Sequence, residues 1–319
     1  MSKHFLSIHD LVDPKQVVAK AMELKSSPFA YDQLGQKKTL GLLFLNPSLR
    51  TRLSSQKAAF HLGMQCFVLN VLQEGWKLEF NDATVMSGDT GEHIKEAAPV
   101  IAQYCDIIAI RSFPSLQDRD FDYQETILTK FIEYSGRPII SLESATRHPL
   151  QGLADVMTIE EHKKTARPKV VLSWAPHIKA LPQSVPNSFA ESCLAMNYDL
   201  VITHPKGYEL APAFIQGANI VYDQEAALKD ADFVYVKNWS SYHDYGKILN
   251  QDPQWMMTRK KMDLTNQGKF MHCLPIRRNL VAEDAVLDHP TSLIIEQANN
   301  RTFAMQAILL QQIQQLDVL

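Results

Sequence analysis

Apolar residues fall into short, nearly continuous runs: "LGLLFL", "CDIIAIRSF", "RPIISLES", "KVVLSWA", "DLVITHP", "DFVYVKNW", "KFMHCLP" and "TSLIIEQ". Between them lie longer stretches with apolar positions at helical spacing, such as "SSQKAAFHLGM", "GEHIKEAAPVIAQY" and "LQGLADVMTIEEHKKT". Apolar runs without strict alternation predict strands buried on both faces. Strands that alternate with helices predict an α/β fold of parallel sheets covered on both sides. The polar "EEHKKTARPK" places a break between residues 145 and 168, with a first domain over 1–150 and a second over 151–300. The tail "RTFAMQAILLQQIQQLDVL", residues 301–319, has helical spacing and is expected to pack back on the first domain as a closing helix.

A chain of 319 residues accommodates two such domains. The composition is that of a globular enzyme, 45% hydrophobic and 21% charged with a net charge of −3 and no long block of one sign, so neither nucleic acid nor a membrane is an expected partner. The start, "MSKHFLSIHDLVD", has no apolar stretch of signal-peptide length, and a cytoplasmic location is expected. Cys66, Cys105, Cys193 and Cys273 are far apart, with neither a paired spacing nor a histidine cluster. Metal and disulfides are therefore not expected.

Candidate chemistry gathers where strands end, the usual ligand edge of a parallel sheet. After "LGLLFLN" the chain turns at Pro47 and enters a helix near Ser48, so the first-turn N–H groups point at the strand edge. Ser48 and Thr51 add hydroxyls and Arg50 a planar fork, which together suit a phosphate dianion. Arg111 closes an apolar strand and is either a boundary residue or a ligand clamp. In "TRHPLQGLAD", His148 stands at a predicted N-cap, Pro149 at the first helical position and Gln151 three residues beyond the histidine, a pair suited to gripping a carbonyl. In "FMHCLPIRRN" a strand ends at Cys273 and Leu274, followed by a proline and two arginines.

Ser48-Leu49-Arg50-Thr51-Arg52, His148-Pro149-Leu150-Gln151 and His272-Cys273-Leu274-Pro275, in that order, resemble the SxRTR, HPxQ and HCLP motifs of the aspartate/ornithine carbamoyltransferase family. The resemblance runs along nearly the whole chain. It implies two Rossmann-like doubly wound domains, one for carbamoyl phosphate and one for the acceptor amine, assembled as a homotrimer with shared active sites. It implies further that Ser48, Leu49, Arg50, Thr51, Arg111, His148, Gln151 and Arg301 hold carbamoyl phosphate, with Cys273 and Leu274 beside the carbamoyl group. Trp76 matches the residue that reaches in from a neighbouring subunit. Arg50, His148 and Cys273 are the candidate catalytic residues, Cys273 as either a proton acceptor or a bystander. No cofactor is implied.

The acceptor follows from departures within the family. Where ornithine carbamoyltransferases carry an aspartate for the α-ammonium, this chain has Lys237, which repels an ammonium and attracts a carboxylate. That implies an ornithine with an acylated α-amine. The stretch "WAPHIKALPQSVPNSFAES", residues 174–192, is similar to the proline-rich loop of the N-acylornithine branch, its prolines being at odds with a long regular helix. Glu143, His177, Lys237 and Arg278 carry over as acceptor contacts, and Gly91, with Glu92 beside it, falls on the acyl-discriminating position. A glutamate there disfavours a second anion, whereas glycine removes the charge, so the expected acceptor is N-succinyl-L-ornithine, with N-acetyl-L-ornithine as the alternative. A doubly wound dehydrogenase is excluded by the absence of a GxGxxG turn. A non-catalytic amino-acid-binding relative is the remaining reading from another class.

Overall fold

The computed structural model describes residues 3–316. The chain divides into two compact units, one made of residues up to 114, 120–150 and from 301 on, the other of residues 115–119 and 151–300. The first runs through α1 (Pro14–Ser26), β1 (Thr39–Phe44), α2 (Leu49–His61), β2 (Gln65–Asn70), α3 (Val71–Glu74), β3 (Leu78–Glu79), β4 (Glu92–His93), α4 (Ile94–Gln103), β5 (Ile107–Arg111), α5 (Arg119–Tyr123), α6 (Thr126–Ser135), β6 (Ile139–Glu143) and the start of α7 (Pro149–His162). Its main sheet has the order β2-β1-β5-β6 with every pairing parallel. Strand order reverses between β1 and β5, so the loops that follow these two strands open a crevice at their carboxyl ends. Leu43, Ile108, Ile110 and Ile139 of the sheet pack with Ile94, Ala98 and Phe131 of the covering helices.

The second unit holds β7 (Lys169–Trp174), α8 (Ser184–Ala195), β8 (Asp199–Thr203), α9 (Pro212–Ile215), β9 (Asn219–Ile220), α10 (Gln224–Leu228), β10 (Phe233–Lys237), α11 (Arg259–Met262), β11 (Lys269–Met271), α12 (Asp284–Leu287) and the first turns of α13 (Ile294–Leu316). Its parallel sheet has the order β11-β10-β7-β8-β9, and the reversal falls between β7 and β10. Each unit is thus a doubly wound α/β layer of the class expected. No helix of the described residues is long and apolar enough to cross a membrane.

Two local expectations are corrected. "TSLIIEQ" is not a strand: Ser292 makes one isolated bridge to Phe270, and α13 begins at Ile294. A short apolar run has no period of its own, and here helical continuation into "QANNRTFAM" decides it. The proline-bearing stretch is a loop only as far as Gln183; from Ser184 it is α8, with Pro186 in the first turn, where a missing N–H breaks no helical bond. "QCFVLN" forms β2, a strand outside the runs singled out above, on the edge of the first sheet.

Candidate active site

In the first unit, α2 leaves the sheet just beyond β1. Ser48 is its N-cap in extended backbone (φ −153°), its side chain makes no capping hydrogen bond, and the first turn carries no acidic residue. The first-turn N–H groups and the positive end of the helix are therefore directed at the crevice without a built-in counter-charge. Thr51 is 2% exposed, and its hydroxyl accepts a hydrogen bond from Arg301 Nη2 on α13. The same Nη2 lies 3.4 Å from His148 Nε2. A guanidinium only donates, so Nε2 is the acceptor and a neutral ring carries its proton on Nδ1. Burial, reinforced by Arg301, Arg111 and Arg50 and opposed by Glu143, lowers the His148 pKa to about 3. The imidazole is thus neutral at physiological pH and is equipped to donate from Nδ1 to a carbonyl oxygen.

Arg111 ends β5 and is locked in place. Its Nε and Nη2 donate to Glu143 Oε2 at 3.2 and 2.9 Å, and Nη1 donates to the carbonyls of Asn46 (3.2 Å) and Pro47 (2.9 Å). The arginine thereby fixes the turn that launches α2, and one of its five N–H groups lies outside these four bonds. Glu143, at the end of β6, is in the first unit, bonded to Arg111 and 3.8 Å from His148 Nε2. The other expected acceptor contacts, His177, Lys237 and Arg278, belong to the second unit.

The segment carrying Trp76, Gly91 and Glu92 closes on itself through the parallel pairing of β3 with β4. Trp76 is 59% exposed, and its indole Nε1 donates to Glu92 Oε2 at 2.8 Å. A Cβ at Gly91 would sit 2.9 Å from a ring carbon of Trp76, so glycine is what lets the indole lie against this backbone. Below the segment a cavity of about 610 Å³ is lined by Lys77, Phe80, Asp89, Ser112, Phe113 and Glu125 among others, and it includes none of the motif residues.

In the second unit Lys237 ends β10, in register with Trp174 at the end of β7. It is 9% exposed, and among the described residues no hydrogen-bond or ion-pair partner accompanies its ammonium. A buried cation without a counter-ion is costly unless a ligand supplies one. His177, in the loop after β7, accepts at Nδ1 from Lys179 N–H (3.1 Å) and meets Arg277 Nε at Nε2 (3.3 Å). Burial, with Lys237, Arg277 and Lys179 nearby and the Lys179 backbone opposing, lowers its pKa. Arg278 is half exposed and bound by two carboxylates, Asp284 at 2.8 Å and Asp288 at 2.6 Å. Arg277, which the sequence reading passed over, is the arginine that joins His177. The doubled "RR" was the only signal for it.

Beyond β11 the chain turns sharply. Cys273 is 8% exposed, and Leu274 has φ +56°, a left-handed conformation a leucine seldom adopts. His272 Nδ1 accepts the Leu274 N–H at 2.8 Å, and the His272 N–H donates to Gln297 Oε1 at 2.9 Å. Gln151, in the first turn of α7 and 1% exposed, donates from Nε2 to Asp155 Oδ1 at 2.7 Å. Elsewhere in this unit Glu161, His162 and Glu296 bring their ligand atoms within 4.8 Å of one another, but they are partly exposed, His162 Nε2 lies 2.9 Å from Glu296, and Glu161 accepts from Asn300.

Family models for the aspartate/ornithine carbamoyltransferase carbamoyl-P binding domain and Asp/Orn binding domain match residues 3–161 and 182–311. The chain is 53% identical to an N-succinylornithine carbamoyltransferase of Bacteroides thetaiotaomicron over 317 residues, covering 99% of this chain and 100% of the relative. It is 36% identical to an N-acetylornithine carbamoyltransferase of Xanthomonas axonopodis pv. citri, covering 96% and 95%. Among solved structures it is similar to a glutamate-to-alanine mutant of N-acetyl-L-ornithine transcarbamylase in complex with carbamyl phosphate and N-succinyl-L-norvaline. That match has a TM-score of 0.91 at 35% identity and covers 97% of this chain and 99% of the other.

Proposed function

The chain belongs to the aspartate/ornithine carbamoyltransferase family, and from that premise we propose that it transfers the carbamoyl group of carbamoyl phosphate to the δ-amine of N-succinyl-L-ornithine. The products are N-succinyl-L-citrulline and phosphate, a step of arginine biosynthesis. The observation that carries the acylated acceptor is Lys237, a buried ammonium with no counter-ion among the described residues, which suits a carboxylate and repels a free α-ammonium.

In this reading the α2 N-terminus, Ser48, Leu49, Arg50, Thr51, Arg111 and Arg301 take the phosphate, with Trp76 supplied by a neighbouring subunit of a cytoplasmic homotrimer. His148 donates to the carbamoyl oxygen, and Gln151, Cys273 and Leu274 attend the carbamoyl group. Attack by the amine nitrogen forms a C–N bond, the C–O bond to phosphate breaks, and the oxyanion between these events is met by His148 and Arg50. An alkylammonium of pKa ~10.4 is no nucleophile, so the amine arrives neutral, and its remaining excess proton passes to Cys273 or to the departing phosphate. Lys237, His177 and Arg278 favour the acceptor's carboxylates, and Glu143 its amine.

Succinyl over acetyl rests on Gly91 and Glu92. Glycine brings no charge to the acyl position, and the Glu92 carboxylate is engaged by the Trp76 indole. The glutamate-to-alanine mutant of the acetylornithine enzyme, crystallised with a succinylated norvaline, agrees with this. The second reading, N-acetyl-L-ornithine, is favoured by the presence of Glu92 one residue from Gly91. Ureido-product formation from carbamoyl phosphate with ornithine, N-acetylornithine and N-succinylornithine in parallel tests the assignment. Preference for the succinyl compound is expected, preference for the acetyl compound would hand the discriminating position to Glu92, and free ornithine as best acceptor would overturn the role of Lys237.

A further inference from the structure

We propose that Asp155 is a positioning residue that fixes which face of the Gln151 amide is presented and holds the turn bearing Cys273 in its strained shape. Asp155 lies one helical turn after Gln151 on α7 and is 0% exposed. A single carboxylate oxygen, Oδ1, accepts from two buried amides, Gln151 Nε2 at 2.7 Å and Gln297 Nε2 at 2.6 Å.

The first bond selects an orientation. A carboxylate accepts and does not donate, so the atom of Gln151 turned toward it is the nitrogen, and Oε1 points away. Gln151 therefore offers an acceptor, which suits the N–H of a carbamoyl group and not its carbonyl oxygen. This reverses the role expected for Gln151 from sequence, where it was paired with His148 to grip a carbonyl. The second bond reaches the other motif. With Gln297 Nε2 held by Asp155, Gln297 Oε1 faces the His272 N–H at 2.9 Å, and His272 Nδ1 in turn accepts from Leu274 N–H at 2.8 Å. Left-handed backbone at Leu274 (φ +56°) persists only where its surroundings over-determine it. The chain of hydrogen bonds that starts at the Asp155 carboxylate supplies that determination.

The inference rests on the carbamoyl-transfer reading for the meaning of "presented", and the test separates the two. Asp155→Asn preserves shape but removes the charge and lets either end of the amide face Gln151 and Gln297, whereas Asp155→Glu keeps an acceptor-only carboxylate on the same helix face. Two measurements are made on the full chain: hydrogen exchange of the backbone across residues 270–276, and turnover with the acceptor the wild type prefers. The single variant Asp155→Asn is expected to exchange faster in 270–276 and to lose at least about tenfold in kcat, the worth of one charge-assisted bond, with a smaller change in the KM for carbamoyl phosphate. Asp155→Glu is expected to retain more of that kcat than Asp155→Asn. Wild-type kcat in Asp155→Asn, wild-type exchange, or a kcat for Asp155→Glu no higher than that of Asp155→Asn would each overturn the proposal. A wild-type protein that turns over none of the three acceptors would indict the functional reading, and wild-type exchange in Asp155→Asn would still refute the positioning role.

Discussion

Arg111 and Lys237 occupy corresponding places: each is the last residue of a strand beside the point where its sheet's order reverses. Their electrostatic states are opposite. Arg111 is paired with Glu143 and bonded to two backbone carbonyls before any ligand arrives, so it serves as scaffold for the turn into α2. Lys237 is equally buried and has no such partner among the described residues. The contrast teaches that position in a doubly wound sheet nominates a residue for ligand binding, but its pairing decides whether it meets the ligand as a braced strut or as an open socket. A charge left unpaired in the interior reduces stability and is retained where a ligand completes it.

The sharpest way to break this contrast is to remove one member from each side. Glu143→Ala strands the buried Arg111 and is expected to cost about 3–5 kcal/mol of stability in urea unfolding. An undiminished midpoint would mean that Arg111 is no strut. Lys237→Met takes away an uncompensated charge at similar volume. Its stability should hold or rise, while kcat/KM for the acylated acceptor falls by about 2–3 kcal/mol, on the order of a hundredfold. A loss of stability without loss of turnover would make Lys237 the strut instead.

A pH-dependent effect, spread over several pH units, sharpens the picture on the paired side. His148 is held at a pKa of about 3 in the folded protein, against ~6.5 in the unfolded chain. Between these values only the unfolded chain takes up the proton. The stabilisation is thus complete above pH ~6.5 and drains as pH falls toward 3, by about 1.4 kcal/mol per pH unit. His148→Gln should flatten the fall of the urea midpoint from pH 6.5 to 4, and an unchanged slope would show that the imidazole titrates normally. Smallest of all, Glu92→Ala frees an exposed indole and should raise the KM for carbamoyl phosphate by less than about fivefold with no change in unfolding.

The parts of this molecule legible in the sequence are those written locally. Ser48 before a helix, Pro149 at a first helical position and the apolar strands each show themselves within a few residues, because caps, proline geometry and burial on both faces act over that range. What escaped is non-local. The carboxylate of Glu143 meets Arg111 from another strand, and nothing near Arg111 announces it. Asp155 reads as an ordinary polar residue on an amphipathic helix; one partner of its buried carboxylate is Gln297, 142 residues away. "TSLIIEQ" differs for the converse reason, since its seven residues fit a strand until the residues after them commit to a helix. At Gly91 the sequence shows only the absence of a charge, whereas the structure lays the Trp76 ring against it.

The position of α13 has a consequence for how the protein is made. Arg301 on this helix meets Thr51, 250 residues earlier in the chain, and Ala304, Met305, Ile308 and Leu309 are fully buried. A ribosome adding roughly 5–20 residues per second would deliver α13 some 10–50 s after Thr51 has emerged. Through that interval the first unit has its sheet but lacks its final helix, and the threonine waits for its arginine. Until then the nascent chain carries an unfinished apolar surface that a chaperone could occupy, and the crevice at the α2 N-terminus gains the Arg301 contact only 250 residues after Thr51 was made.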